Sequence, residues 1–207
     1  MTRKANRVIA VSTLARFVQL ITGLAIYGVG IGALVDSKIG IAPWDVFAQG
    51  IAVQTHLSFG LATVVVSALV MIAWIPLKQR PGVGTVLNAV LIGVFADIFM
   101  PILPKFTAYP LNLAKFLVGL VIVAFATGMY ISTRFGSGPR DGLVVGTQKR
   151  LGWPFWVVRT AYEGTVLTIG WLMGGQVREG TLIFAVCIGY LMQLSLRAFG
   201  VSVRSKK

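Results

Sequence analysis

The sequence GIAPWD at residues 40–45 is followed 96 residues later by GSGPRD at residues 136–141. Both copies have the pattern G-x-[AG]-P-x-D, and each lies between a long apolar segment and a short one. Proline suits the first turn of a helix, where its missing N–H leaves no bond unmade, and the aspartate then lies near the positive end of the helix dipole. The motif predicts two short helices, at residues 42–54 and 138–150. Each is too short to span a bilayer, which takes about 20 residues.

The composition of the 207-residue chain is typical of a membrane protein. Hydrophobic residues make up 56% of the chain and charged residues 12%, whereas a soluble domain has roughly 25% charged residues. Long apolar runs predict six transmembrane helices, at residues 16–35, 58–77, 84–103, 113–133, 155–173 and 181–199. We therefore expect an all-α polytopic protein in the lipid bilayer of a bacterial inner membrane.

The two motifs belong to a longer internal repeat. A shift of 96 residues aligns residues 17–98 with 113–194 without a gap and gives 16 identities in 82 positions, six of them glycines. Each half, residues 1–109 and 110–207, then contains three spans and one short helix. Because three crossings invert the second half, the sequence predicts a 3+3 inverted-topology repeat with two re-entrant or broken helices.

The net charge of +13 fits this topology. With both termini in the cytoplasm, 15 of the 19 lysines and arginines fall on the inner side, as the positive-inside rule requires. If the short helices also crossed, the basic segments 78–80 and 134–150 would lie outside, so eight crossings are disfavoured. The four basic residues left outside are Lys38, Lys105, Lys115 and Arg178.

The motif positions are the main candidates for a substrate-binding site. Paired broken helices in an inverted repeat are where transporters bind solutes, since irregular backbone at membrane depth must lie inside protein or beside a wet cavity. The alternative interpretation is that glycine, proline and aspartate only shape a tight helix start. The candidates in the motifs are Gly40, Pro43, Trp44, Asp45, Gly136, Gly138, Pro139, Arg140 and Asp141.

The two motifs differ at their fifth position, which is Trp44 in the first copy and Arg140 in the second. Arginine can bind a carboxylate or phosphate through two parallel hydrogen bonds, so Arg140 is a candidate ligand for an anionic or zwitterionic solute. It could equally pair with Asp141 or lie among the cytoplasmic head groups. For Trp44 the favoured interpretation is an anchor at the membrane interface.

Three ionisable residues within the predicted spans complete the candidate substrate-binding set. Arg159 and Glu163 are four residues apart and share a helix face, which favours an internal ion pair. Asp97 has no basic neighbour in sequence. It is either buried alone, which would suit a proton-coupled step, or reaches the outer interface.

We expect no enzymatic activity, catalytic residue, metal site or cofactor. The chain has no H-E-x-x-H, G-x-S-x-G or P-loop sequence and no cluster of cysteines and histidines with metal-binding spacing. Nucleic acid is not an expected partner, because the basic residues lie between apolar runs without a nucleic-acid-binding signature.

Both motifs, the second extended to GSGPRDG at residues 136–142, and the layout of spans resemble the YczE-like bacterial integral membrane proteins, grouped with YitT and YyaS proteins. The resemblance implies a multi-pass membrane protein and brings no substrate, catalytic residue or cofactor. We expect a small-solute transporter that works by alternating access, in a homodimer. The alternative is a non-transporting scaffold or regulator of partner proteins. A polar cavity bounded by Pro43, Asp45, Pro139 and Asp141 would favour the transporter, and a dry centre the scaffold.

Overall fold

The computed structural model describes residues 12–201, which form eight α-helices and no β-strand. The all-α prediction is confirmed, and both short helices begin and end within one residue of the predicted bounds. The terminal segments 1–11 and 202–207, which carry the predicted cytoplasmic termini, lie outside the described residues. The helices are α1 Thr13–Ser37, α2 Pro43–Thr55, α3 Phe59–Ala73, α4 Val83–Phe99, α5 Tyr109–Ser132, α6 Pro139–Leu151, α7 Phe155–Leu172 and α8 Glu179–Ala198.

Three of these helices, α1, α5 and α8, are long and apolar enough to cross a membrane. Helix α4 is apolar but has only 17 residues, and α2 and α3 meet at a bend of 115°. Large apolar side chains cover the outward faces of the helices, among them Leu69, Ile72, Val118 and Val186. Soluble proteins rarely expose extended apolar surfaces of this kind, so the chain is a helical membrane protein.

Helices α1 and α5 pack antiparallel at the centre of the bundle. Near one end, the Arg16 side chain donates through Nε to the carbonyl oxygen of Thr133 at 3.1 Å. At the other end, Asp36 forms an ion pair with Lys115. Between them Gly30 lies so close to α5 that a Cβ on it would be 2.8 Å from the Val123 side chain. Small residues allow this close approach of helices in lipid.

Packing contacts of the first half recur 96 residues further along the chain. Helix α1 packs against α4 where Gly28 and Gly32, which are four residues apart and share a helix face, lie over Ala96. Helix α5 packs against α8 where Gly128, which corresponds to Gly32, lies over Ser195.

The segment before each short helix is hydrogen-bonded to the start of a helix in the other half of the chain. The Gly180 N–H at the start of α8 donates to the Ile39 carbonyl at 2.9 Å, and the Gly84 N–H at the start of α4 donates to the Phe135 carbonyl at 2.9 Å. We call these two bonds the crossed tethers. They fix where α2 and α6 begin.

The first glycine of each motif is required by both backbone conformation and space. Gly40 has φ of +142° and Gly136 has φ of +137°, a region that residues with a side chain rarely adopt. A Cβ would also lie 2.5 Å from the backbone nitrogen of Thr181 at Gly40, and 2.6 Å from Oγ1 of Thr85 at Gly136.

Helices α3 and α4 are in close contact near the start of α3. A Cβ on Gly60 would lie 2.1 Å from the carbonyl oxygen of Gly93. The Gly60 N–H donates to Oδ1 of Asp97 at 2.8 Å, and the Ser58 hydroxyl donates to the other carboxylate oxygen. Asp97 therefore fastens the start of α3 to α4.

The corresponding helices of the second half, α7 and α8, are not packed together in this way. Trp156 stands where α3 has Gly60 and is 70% exposed. Gly189 stands where α4 has Gly93 and would have no atom within 4 Å of its Cβ. Helix α7 packs instead against α2, where a Cβ on Gly170 would lie 2.5 Å from the backbone of Phe47.

Replacing Gly93 with alanine should destabilise the protein, because the new methyl group would lie 2.3 Å from the carbonyl oxygen of Gly60. Overpacking costs about 1–3 kcal/mol, so the midpoint of thermal unfolding in detergent should fall by about 2–12 °C. Gly189→Ala is the matched control and should leave the midpoint unchanged or slightly higher. Equal losses in the two variants would contradict the packing difference between α3–α4 and α7–α8.

Candidate functional site

A cavity of about 110 Å³ lies where the two motifs meet, and all eight helices contribute to its wall. A cavity of about 150 Å³ can hold benzene, so this one has room for a group of roughly five non-hydrogen atoms. The four motif residues expected to bound a cavity do line this one. They are Pro43, Asp45, Pro139 and Asp141.

Nine of the twelve predicted site residues line the cavity. Gly40 and Gly136 do not, because they form the turns that precede the short helices. Asp97 does not line it either, and it is not buried alone, since it is hydrogen-bonded at the start of α3. The nine are Pro43, Trp44, Asp45, Gly138, Pro139, Arg140, Asp141, Arg159 and Glu163.

The starts of α2 and α6 bring two carboxylates into the cavity. Each helix has proline in its first turn, as predicted, and neither has a side chain that caps its first N–H groups. Asp45 and Asp141 lie in those first turns, where the positive end of the helix dipole favours a negative charge.

Arg140 of the second motif forms an ion pair with Asp45 of the first, with 2.6 Å between Nη2 and Oδ1. The Asp45 side chain is only 3% exposed and that of Arg140 is 25% exposed. The sequence left Asp141 and the lipid head groups open as partners of Arg140. The structure shows Asp45 as its partner instead. The ion pair links the two short helices across the cavity.

The prediction that Trp44 is an interfacial anchor is wrong. Trp44 is 8% exposed and lines the cavity, with its ring 6.5 Å from that of Tyr162 and 5.7 Å from the Arg140 guanidinium. The first turn of α2 is surrounded by other helices, so it is enclosed by protein instead of facing the membrane interface.

The second carboxylate oxygen of Asp45 is buried and has no hydrogen-bond partner among residues 12–201. Leaving a buried charged oxygen unpaired costs free energy, so such an atom marks a place where a polar molecule can bind.

Arg159 and Glu163 of α7 form the predicted ion pair, with 2.9 Å between Nε and Oε1. Their side chains are 40% and 32% exposed, so this pair is more open than the Asp45–Arg140 pair.

Asp141 forms no salt bridge within the described part of the chain. With three carboxylates and two guanidinium groups, the cavity wall carries a formal charge of −1. No group of three or more histidine, cysteine, aspartate or glutamate side chains between residues 12 and 201 could hold a metal ion.

Several uncharged polar residues of the wall were not predicted as site residues. Asn88 was the one with a visible signal, because an amide in an apolar span is uncommon. The hydroxyl residues gave no signal, since threonine in a helix commonly bonds to its own backbone, as Thr63 does to Phe59. The uncharged polar residues of the wall are Tyr27, Thr63, Ser67, Asn88, Thr127 and Tyr130.

Residues 14–197 match a protein family described as a family of unknown function, DUF6198. The chain is 41% identical over 177 residues to an uncharacterized protein of Haemophilus influenzae, which covers 86% of this chain and 81% of the relative. It is 34% identical over 184 residues to the uncharacterized membrane protein YczE of Bacillus subtilis, covering 87% and 85% of the two chains. It is 26% identical over 175 residues to YyaS of the same bacterium, covering 82% and 86%. No solved structure matches significantly.

Arg140→Gln should destabilise the protein strongly, because it leaves the buried Asp45 charge unpaired. Breaking a buried ion pair on one side costs about 3–5 kcal/mol, measurable as a lower thermal midpoint in detergent. Adding Asp45→Asn should recover most of this loss. Arg159→Gln in the more exposed pair is the control and should cost less than about 1 kcal/mol. Additive losses from the Asp45 and Arg140 changes would contradict the coupling.

Proposed function

The chain belongs to the YczE-like family of membrane proteins, DUF6198, and from this premise we propose that it is a small-solute transporter that works by alternating access. The charged cavity at the starts of α2 and α6 carries the proposal. Transporters with inverted repeats bind solutes where discontinuous helices of the two repeats begin. A non-transporting scaffold gives no reason for such a cavity, since ionisable groups are costly within a membrane.

In the proposed topology six helices cross the cell membrane and the termini are cytoplasmic, while α2 and α6 are re-entrant from opposite sides. The shorter crossing helices, α3, α4 and α7, have 15, 17 and 18 residues. At 1.5 Å per residue they rise about 22–27 Å, close to the ~30 Å thickness of the hydrocarbon core. The antiparallel packing of α1 on α5 and the crossed tethers are what an inverted repeat requires.

The unequal packing of α3 and α7 supports a conformation that is open toward the cytoplasm. In the proposed topology, Gly60 on α3 and Gly170 on α7 lie near the outer side, where both helices are tightly packed. Trp74 and Trp156 occupy the corresponding positions near the inner side. A methyl group on Gly142 would lie 2.0 Å from the Trp74 ring, and the Trp74 indole N–H donates to the Pro139 carbonyl at 3.0 Å. Helix α3 therefore contacts α6 on this side, and the opening lies beside the exposed Trp156.

Alternating access would follow from an exchange of these arrangements. If the start of α3 leaves α4 while the start of α7 closes on α8, the cavity becomes open to the outside and closed to the inside. Rigid movement of helices about packed contacts is a common route for such transitions. The proposal includes no enzymatic step, and a homodimer would broaden this small framework.

The size and charge of the cavity favour a small zwitterion as the solute. A volume of about 110 Å³ excludes sugars and nucleotides from full enclosure. Arg140 and Arg159 can receive a carboxylate, and the carboxylate side chains of the wall can receive a positive group.

The proposed topology predicts opposite accessibility for two exposed positions that correspond in the repeat, Thr55 and Leu151. In a Cys187→Ser background, a cysteine at 55 should react with a membrane-impermeant thiol reagent only from outside the cell. A cysteine at 151 should react only after inside-out vesicles expose the inner side. Labelling of both from one side would contradict the inverted repeat.

Flux into proteoliposomes tests the transport proposal directly. Labelled glycine, alanine and short carboxylates should be tested with a pH-sensitive dye for protons, and at least one should accumulate severalfold above protein-free liposomes. Flux equal to the protein-free level for all of these probes would contradict the proposal.

A cross-link between α3 and α4 should stop this flux, because alternating access requires the two helices to separate. Ser58→Cys combined with Asp97→Cys places thiols where the native side chains touch. A short reducible cross-linker should remove most of the flux of the double variant, and a reductant should restore it. The same cross-linker should leave the flux of each single variant unchanged. Undiminished flux in the cross-linked protein would contradict the proposed movement.

A further inference from the structure

We propose that the cavity binds one monovalent cationic group beside Gly138, held by Asp141, Asn88 and Tyr130. The inference rests on the proposed function in treating the cavity as a solute site, and it specifies one part of the ligand. An organic ammonium group and an alkali-metal ion present the same single charge to these oxygens. Both are therefore sources that the experiment must distinguish.

Three side-chain oxygens converge on one point next to Gly138. A Cβ on this glycine would lie 3.3 Å from the Tyr130 hydroxyl, 3.4 Å from Oδ1 of Asn88 and 3.6 Å from Oδ2 of Asp141. Because glycine has no side chain, a ligand can approach the backbone here and contact these oxygens. One carboxylate and two neutral oxygen dipoles face this point and attract a single positive charge, against the opposing field of the α6 start and of Arg140.

Unpaired polar atoms of the wall favour such a group. Asp45 and Glu163 each have an arginine partner, whereas Asp141 has no salt bridge within residues 12–201. Asn88 is only 8% exposed, and its side chain forms no hydrogen bond with any residue in the same range. The buried Oδ2 of Asp45 is also without a partner there. The cavity thus contains a carboxylate oxygen and an amide side chain that no group of the described residues satisfies.

The first motif indicates that this oxygen cluster is not needed to begin a short helix. The residues that correspond to Gly138, Asn88 and Tyr130 in the repeat are Ala42, Phe184 and Leu34. Helix α2 nevertheless begins at the same motif position as α6. Asn88 and Tyr130 therefore have no polar counterpart in the repeat, as expected of a binding site and not of a folding requirement.

Ligand-induced stabilisation tests the proposal on purified full-length protein in detergent at constant ionic strength. One arm replaces N-methylglucamine chloride with sodium or potassium chloride, and the other adds methylammonium or glycine. Near saturation, the thermal midpoint should rise by about 2–4 °C in at least one arm. A rise with the salts identifies an alkali ion, and a rise with the amines identifies an ammonium group.

Two variants place the site at Gly138. Asp141→Asn should abolish the rise by removing the charge. Gly138→Ala adds a methyl group 3.3–3.6 Å from the three oxygens, and φ of −59° suits alanine, so it should abolish the rise at a small cost to the ligand-free midpoint. Gly164→Ala is the control that should retain the rise, since no atom lies within 4 Å of its Cβ.

Two results would overturn the proposal. One is no rise in either arm, which is expected if a proton on Asp141 supplies the positive charge. The other is a rise that Asp141→Asn and Gly138→Ala both retain. Failure of the transport proposal is a separate result, because stabilisation by a cation without flux in proteoliposomes removes the transporter and leaves the cation site. Flux without stabilisation removes the cation site alone.

Discussion

The crossed tethers are the contacts on which the rest of this structure depends. Each motif must end one helix and begin another inside a lipid-facing bundle, where unpaired backbone groups are costly. The Ile39 and Phe135 carbonyls solve this by accepting hydrogen bonds from Gly180 and Gly84 of the opposite half. The starts of α2 and α6 are thereby held on either side of one space, close enough for Arg140 to reach Asp45.

The two halves share a sequence pattern but differ in where they have glycine and where they have tryptophan. On α3 and α7, glycine and tryptophan exchange places: Gly60 corresponds to Trp156, and Trp74 corresponds to Gly170. Both glycines lie toward the face of the bundle where α1 ends, and both tryptophans lie toward the other face. The difference in packing between the two faces therefore follows these four residues, which occupy corresponding positions in a shared backbone pattern.

Features set by local spacing could be predicted from the sequence. These include the bounds of the short helices, the motif prolines in their first turns and the Arg159–Glu163 pair. Features set by distant partners could not be predicted. The burial of Trp44 and the choice of Asp45 as the partner of Arg140, 95 residues away, follow from how the halves meet. Sequence periodicity gives the face of each helix but not its neighbour, and the six crossings and the inverted repeat stay predictions.

The two partners in each crossed tether are synthesised at different times. The second motif is made after its partner at the start of α4. A further bond between them runs from the Thr85 hydroxyl to the carbonyl of Ser137, 52 residues later. The first motif is made before its partner at the start of α8. The Ile41 N–H donates to the hydroxyl of Thr181, which follows 140 residues later. At about 5–20 residues per second, that interval is roughly 7–28 s of synthesis. During this time the first motif lacks its hydrogen-bond partner at the start of α8. The turn before α2 is therefore completed only when the last helix has been made.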